Sequence, residues 1–535
     1  MVANLRYKFL FYFIFIVLLA CKDNNSDQDH LVFRYNEHSN ISSLDPIFAK
    51  NLSNIWPCNQ LFNGLVQLDD NLNIQPDIAT HWEISEDATT YTFHLRKDVY
   101  FHKSDLFKNN KTRSVNAKDF EFSLNRLCDI KWASPGSWLA QNVMSYYAES
   151  DYVLKIQLKQ PFPAFIGTLS MKYCSVVPKE VVNHYGNDFG RNPIGTGPFK
   201  FKRWLENTKL VLRKNELYYE KDENGKQLPY LEAVAITFLP DKQSEFLEFA
   251  QGNIDFISGL DPSYKDEILT STGKLRKKYS GEKNIISGAY LNTEYLGFYM
   301  DSETSEIQSE LLRKAVNYGF DRQKMITFLR NGIGTPAENG FIPKGLPSFN
   351  GQKGFTYDLN KAKHYIEEYK KQTGNSSPKI TISTNSAYVD LCEYIQRELE
   401  KIGMEVRIDL LTPSTLKQEK ANGKLDCFRA SWIADYPDAE NYLSLFYSKN
   451  FAPNGPNYMH FKDELFDQWY EQALLETQVE NRQALYQKMD SLIIAQAPVI
   501  PLYYDQVIRF SGKNIDGLGI NPINLLQLKK VKKSK

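Results

Sequence analysis

The sequence predicts an α/β protein, and three observations lead there. The first is a strand–helix–strand run in the second half. Residues 380–383 form a short strand, and residues 388–401 carry Leu391, Ile395 and Leu399 at helical spacing. Val406, Ile408 and Leu410 then alternate after Gly403. A crossover of that length returns the chain in the same direction, so the two strands pair in parallel. The second is a series of two-residue alternations in the first half, at residues 91–95, 154–158 and 210–213. The third is the composition, 42% hydrophobic and 24% charged over 535 residues with no internal repeat. It is close to a globular average and excludes coiled coil, collagen and general disorder.

The elements follow in chain order. Arg6 and Lys8 precede an apolar run over residues 9–20 that is shorter than the ~20 residues a spanning helix needs. The run ends Leu18-Leu19-Ala20-Cys21, which resembles a bacterial lipobox, so residues 1–20 are expected to be a signal peptide and Cys21 the lipidated first mature residue. Polar residues 21–30 read as a tether. Asn116 suits a helix N-cap with Asp119 at the third helical position, and Ala117, Phe120, Leu124 and Leu127 continue at helical spacing. Two prolines in Asn192-Pro193-Ile194-Gly195-Thr196-Gly197-Pro198-Phe199 make it a turn rather than a phosphate cradle. Two further helices are expected over 463–476 and 481–496, the second with Leu485, Met489, Leu492 and Ile493 on its core stripe. Lys529, Lys530, Lys532, Lys533 and Lys535 read as a solvated basic tail.

Several function classes are disfavoured. Acidic and basic residues both number 64, and a pI of about 7.1 gives no basic footprint for nucleic acid. No HExxH, GxSxG, GxxxxGK[ST] or GxGxxG is present, so no catalytic residue, cofactor or metal is expected. Five cysteines remain beyond Cys21 without CxxC spacing, and they read as buried thiols, with one disulfide left open.

Eight runs together resemble the family-5 bacterial extracellular solute-binding proteins, the peptide- and nickel-binding components of ABC importers. They include Gln60-Leu61-Phe62-Asn63-Gly64-Leu65, Pro76-Asp77-Ile78-Ala79-Thr80-His81-Trp82-Glu83 and Tyr91-Thr92-Phe93-His94-Leu95-Arg96. Further on stand Pro193-Ile194-Gly195-Thr196-Gly197-Pro198-Phe199, Gln251-Gly252-Asn253-Ile254-Asp255 and Trp432-Ile433-Ala434-Asp435-Tyr436-Pro437-Asp438. The resemblance implies the large, three-domain class II periplasmic-binding-protein-like fold, two-lobed with the ligand cleft between lobes. By its pattern residues 31–53, 194–286 and 507–535 form domain I, 54–193 domain II, and 287–506 the opposite lobe. Residues 103–114 exceed the family's usual turn and read as a surface insertion.

The same resemblance implies a lipid-anchored, monomeric envelope protein that passes peptides to an ABC permease. A buried backbone needs partners for its N–H and C=O groups, and strand edges supply them. Ser431, Trp432 and Ile433 are implied on one side and Ser39, Asn40 and Ile41 on the other. Asp435 is implied for the peptide α-ammonium and Arg429 for some peptide carboxylates. A binder of oligosaccharide or a nickel complex, or a secreted hydrolase, are the alternatives. Tyr290, Asn292 and Tyr295 are left between packing and cleft lining.

Overall fold

The computed structural model describes residues 31–108, 111–302 and 306–535. Cys21 and the 21–30 tether lie outside the described residues, as does the centre of the 103–114 insertion. No described helix is long and apolar enough to cross a membrane.

One sheet of 11 strands runs through the molecule. At one end Glu405–Leu410 and Lys379–Thr384 pair in parallel, and Lys379–Thr384 pairs in parallel with the start of Cys427–Ile433. The helix between the parallel strands, Val389–Glu400, buries Leu391, Ile395 and Leu399, and Gly403 takes φ +83° in the turn that follows. The strand–helix–strand expectation holds. At the other end Val32–Asn36 lies in parallel between Ala233–Thr237 and Phe256–Ser258, and Lys209–Lys214 and Phe199–Leu205 complete that side.

Two long strands join the ends and divide the molecule into two lobes. Residues 283–289 of Lys283–Phe298 pair with 506–512 of Val499–Gly512, and Phe256–Ser258 flanks that stretch of the latter. Residues 292–298 of the same strand pair on one side with Cys427–Ile433, while 293–297 continue on the other side against 499–504 of Val499–Gly512. Between the two stretches the pairing slips, with register shifts between Ala289 and Thr293 and again between Glu294 and Tyr295. A bulge leaves ladder groups unpaired and bends the strand, which is where two rigid lobes can hinge.

The two largest core clusters are centred on different lobes, although Leu68 and Leu72 of the first lobe join the second cluster. Phe33, Tyr35, Phe62, Phe93, Leu154, Leu212 and Ile236 belong to one cluster, and Tyr295, Phe341, Phe428, Phe446 and Met489 to another. The first lobe also carries a separate four-stranded antiparallel sheet, ordered Ala79–Ile84, Thr90–Leu95, Val153–Leu158, Val143–Ser150. In Thr90–Leu95 the pattern alternates, with Tyr91, Phe93 and Leu95 buried. Ala117–Cys128 begins with the expected Asn116 N-cap, and Asp119 completes it as a capping box. The C-terminal helices are Glu464–Leu475 and Val479–Gln496. Cys58, Cys128, Cys174, Cys392 and Cys427 are all free.

The 192–199 turn is more tightly held than a surface turn. The His102 backbone N–H donates to Gly195 O at 2.7 Å, and its ring accepts from Gly195 N–H at 3.2 Å through Nδ1. Nε2 of the ring therefore donates to Gly197 O, 3.0 Å away. A Cβ on Gly195 would stand 2.0 Å from the Leu61 carbonyl oxygen, so only glycine fits that close approach.

The terminal lysines correct the sequence expectation. Lys532 is exposed, but Lys533 reaches back to Asp255 at 2.8 Å with both side chains nearly buried, and Lys529 pairs with Glu220 at 2.8 Å. Leu526, Leu528 and Val531 lie in the first core, so the lysines between them are carried onto folded surface rather than into solvent.

Candidate functional site

A cleft of about 670 Å³ opens between the lobes. From the first lobe it is lined by the segment after Val32–Asn36, including Glu37, Ser39 and Asn40, by the helix around Trp56, and by Lys172 and Tyr173. From the second lobe it receives Tyr290 and, at the end of the strand Cys427–Ile433, Ile433, Ala434 and Asp435.

Asp435 sits just past the last residue of the strand Cys427–Ile433. Ala434 N–H still bonds Leu291 O at 2.9 Å, so the chain leaves the sheet with its direction held. Asn441 Oδ1 then accepts from both Trp432 Nε1 (2.9 Å) and Asp435 N–H (3.3 Å). Tyr436 is buried and donates to the buried carboxylate of Glu440, which Tyr470 also donates to. The Asp435 side chain is open to the water of the cleft, yet protein surrounds it on most sides. That burial raises its pKa, opposed by its contact with Asn441. Among the described residues it makes no ion pair.

Glu37 is the residue that sequence reasoning missed. It is 5% exposed and lines the cleft, and its Oε1 has no hydrogen-bond partner. Burial pushes its carboxyl up to about 8, opposed by Lys242, whose ammonium bonds Glu245 instead at 2.7 Å. Lys172 is 9% exposed, lines the same cleft and makes no ion pair among the described residues; burial lowers its pKa. A buried carboxyl without a cation keeps its proton and a buried ammonium without an anion is costly, and a ligand carrying both charges relieves both. The sequence signal was only a charged residue directly after the short strand Val32–Asn36, too common to single out.

The other expected residues divide. Asn40 lines the cleft, its amide tied to Asn207. Ile433 lines it with its side chain exposed, whereas Ile41 is a core residue at 3% exposure. Trp432 and Ser431 are half-buried and do not reach the cleft wall. Arg429 is the main correction. Its guanidinium lies over the Tyr388 ring and pairs with buried Glu294, away from the cleft lining. Glu294 also accepts from Asn292 (3.1 Å), which reaches Asp505 (3.4 Å), itself paired to Arg330 at 2.6 Å. A strand arginine alternates with apolar neighbours whichever partner it takes, so sequence could not tell a ligand carboxylate from Glu294. Of the three unassigned residues Tyr290 lines the cleft, Tyr295 packs edge-on to Phe341, and Asn292 joins the ion-pair network.

The strand Cys427–Ile433 has one free edge. On one side it pairs from Cys427 to Ile433 with the long strand, and on the other only Cys427 and Phe428 meet Lys379–Thr384. From Arg429 onward that second edge has no strand neighbour among the described residues, the arrangement that accepts an added extended chain.

Residues 73–454 match the family model of bacterial extracellular solute-binding proteins, family 5. The chain belongs to that family. The glutathione-binding protein GsiB of Salmonella choleraesuis is 24% identical to this solute-binding protein over 496 residues, covering 90% of this chain and 91% of the relative. The periplasmic binding protein DppA from Helicobacter pylori, solved in complex with the peptide STSA, superposes with TM-score 0.78 at 26% identity, covering 94% and 98% of the two chains. A dipeptide-binding protein from Pseudoalteromonas sp. SM9913 in complex with Met-Leu superposes with TM-score 0.76 at 22% identity, covering 94% and 100%. The family is one of binding proteins, not of enzymes, and its two-lobed α/β fold is the fold seen here.

Proposed function

We propose that this solute-binding protein captures short peptides in the interlobe cleft and hands them to an ABC permease for import. The observation that carries the reading is the charge pattern of the cleft. Among the described residues Asp435 from one lobe and Glu37 from the other have no cationic partner, Lys172 has no anionic one, and a free strand edge ends beside them. A zwitterionic extended chain answers all three features, with its α-ammonium on Asp435 and its backbone on the strand edge. The peptide ligands of DppA and of the Pseudoalteromonas protein support the same class, and glutathione, the ligand named for GsiB, is itself a tripeptide.

Residues 31–53, 194–286 and 507–535 form the first lobe with 54–193 as its companion domain, and 287–506 form the second. The slipped pairing at residues 289–295 supports that division. A ligand touching both lobes binds the closed form better and shifts the hinge toward it. The protein works as a monomer anchored in the cell envelope through lipidated Cys21. Cys21→Ala is expected to release it from the membrane fraction or leave its precursor uncleaved, and a fully processed membrane form of that variant ends the anchor reading.

Calorimetric titration with di- to pentapeptides, glutathione and N-acetylated versions of each tests the function. Free peptides are expected to bind and to shrink the scattering radius, and acetylated ones to bind much less. Equal affinity for free and acetylated forms sinks the peptide-ammonium assignment.

A further inference from the structure

Outside the residues that line the cleft, the antiparallel sheet of the first lobe carries three metal-type ligands on one face. His81 and His94 are register partners on the adjacent strands Ala79–Ile84 and Thr90–Leu95, and Glu83 lies two residues beyond His81 on the same side. Alternation along a strand puts residues two apart on one face, and cross-strand partners stand with Cβ atoms ~4.5–5.5 Å apart. The ligand atoms of the three side chains all lie within 4.8 Å of one another. We propose that His81, Glu83 and His94 form a surface site for a divalent transition-metal ion of the zinc, nickel or copper class.

The donor set suits that class. Two imidazoles and a carboxylate are ligands that zinc, nickel and copper accept, while calcium and magnesium prefer all-oxygen sites. Glu83 Oε1 already stands 3.3 Å from His94 Nε2, and tetrahedral bonds of ~2.0–2.1 Å put neighbouring ligand atoms about 3.3 Å apart. His94 Nε2 is buried and finds no partner that meets hydrogen-bond geometry. The tautomer of His81 is also set. Thr80 Oγ1 donates its one proton to the His94 carbonyl at 3.0 Å, so toward His81 Nδ1, 2.9 Å away, it accepts. The His81 proton therefore sits on Nδ1 and the lone pair on Nε2. Holding the non-ligating nitrogen by a neighbouring acceptor is how metal-bound histidines are oriented.

One adjustment is required. The two rings are stacked, with centroids 4.3 Å apart and planes inclined by 5°, so their lone pairs run parallel. A shared ion draws the exposed His81 ring out of the stack until both nitrogens converge on it. The fourth position is left to water or an external ligand. Ala79–Ile84 is an edge strand of its sheet, and an ion bridging it to Thr90–Leu95 pins that edge. The linear spacing matches no metal motif; the strand register brings the ligands together.

The test uses the chain without an affinity tag, titrated with zinc chloride and with nickel chloride against a chromophoric chelator. One saturable ion per chain is expected at this site. The His81→Ala/His94→Ala double variant is expected to bind it at least tenfold more weakly, and Thr80→Val to weaken it less, as removal of an outer partner does. Zinc should also raise the melting temperature of the native chain by mass action and leave that of the double variant unmoved. His81→Gln/His94→Gln repeats the comparison with polar side chains. The absence of a saturable ion, or a loss below tenfold in both double variants, overturns the site. Peptide affinity of these variants should equal that of the native chain, which keeps this result separate from the cleft reading.

Discussion

Arg429 and Glu294 form a diagonal pair on adjacent antiparallel strands, Glu294 opposite Ser431 and Arg429 opposite Leu296. Both side chains are nearly buried, at 10% and 3% exposure, and the guanidinium closes on the carboxylate. Removing one partner of such a pair leaves the other charged and dry, at a typical cost of ~3–5 kcal/mol. Arg429→Met should therefore destabilise the chain by about that much in urea melts, whether or not peptide is present. Arg429→Met/Glu294→Leu should recover most of the loss. A native-like melt for the single variant together with lost peptide binding would return Arg429 to the ligand.

In the proposed reading Asp435 serves binding rather than packing. Asn441 and the buried Tyr436 fix its loop from behind, while its carboxylate faces the cleft. Truncating one partner of a buried interfacial charge pair costs ~2–5 kcal/mol, roughly thirtyfold to several thousandfold in Kd. Asp435→Asn should lose that much affinity for free peptides and little for acetylated ones, with the melting temperature nearly unchanged. Calorimetry and thermal melts on the same samples separate the two effects.

Glu37 should behave oppositely in stability. Its folded pKa is raised to about 8 from an ordinary 4.5, so the unfolded chain gives up its proton first. Stability from this group is therefore lost as pH rises from 4.5 to 8. At about 1.4 kcal/mol per pH unit, Glu37→Gln should stabilise the ligand-free chain at pH 7 by up to ~3 kcal/mol, and the gain should shrink toward pH 5. The same variant should bind peptide more weakly. Urea melts across this range check the sign, and a destabilised variant at pH 7 contradicts it.

His102 carries the reverse sign. Burial lowers its pKa from 6.5 to about 4, opposed by the hydrogen bond to the Gly197 carbonyl, so the unfolded chain binds the proton first. The contribution is complete above pH 6.5 and is lost as pH falls toward 4, roughly 3 kcal/mol in all. His102→Gln should lack this component, so the difference between native and variant stability should narrow as the pH drops through that window. A constant difference from pH 7 to 4 would mean that the ring is not buried neutral.

The sequence by itself determined the elements and the family. Periodicity sufficed for the parallel unit over 379–410, because a half-buried strand and an amphipathic helix print their burial pattern on neighbouring residues. The Asn116–Asp119 cap was equally local, since both partners lie within one turn. Contacts distant in sequence were left to tertiary structure. Arg429 was legible as a charged strand residue, but its partner Glu294 is 135 residues away, and only the sheet register decides between that carboxylate and a ligand's. Lys533 finds Asp255 across 278 residues, and Glu37 becomes an unpaired carboxyl only because Lys242 bonds Glu245. His81 and His94 meet through register alone. Local sequence sets which faces a segment must bury. Which charges then meet depends on where the whole chain carries them, and burial in a low-dielectric site makes that meeting decisive.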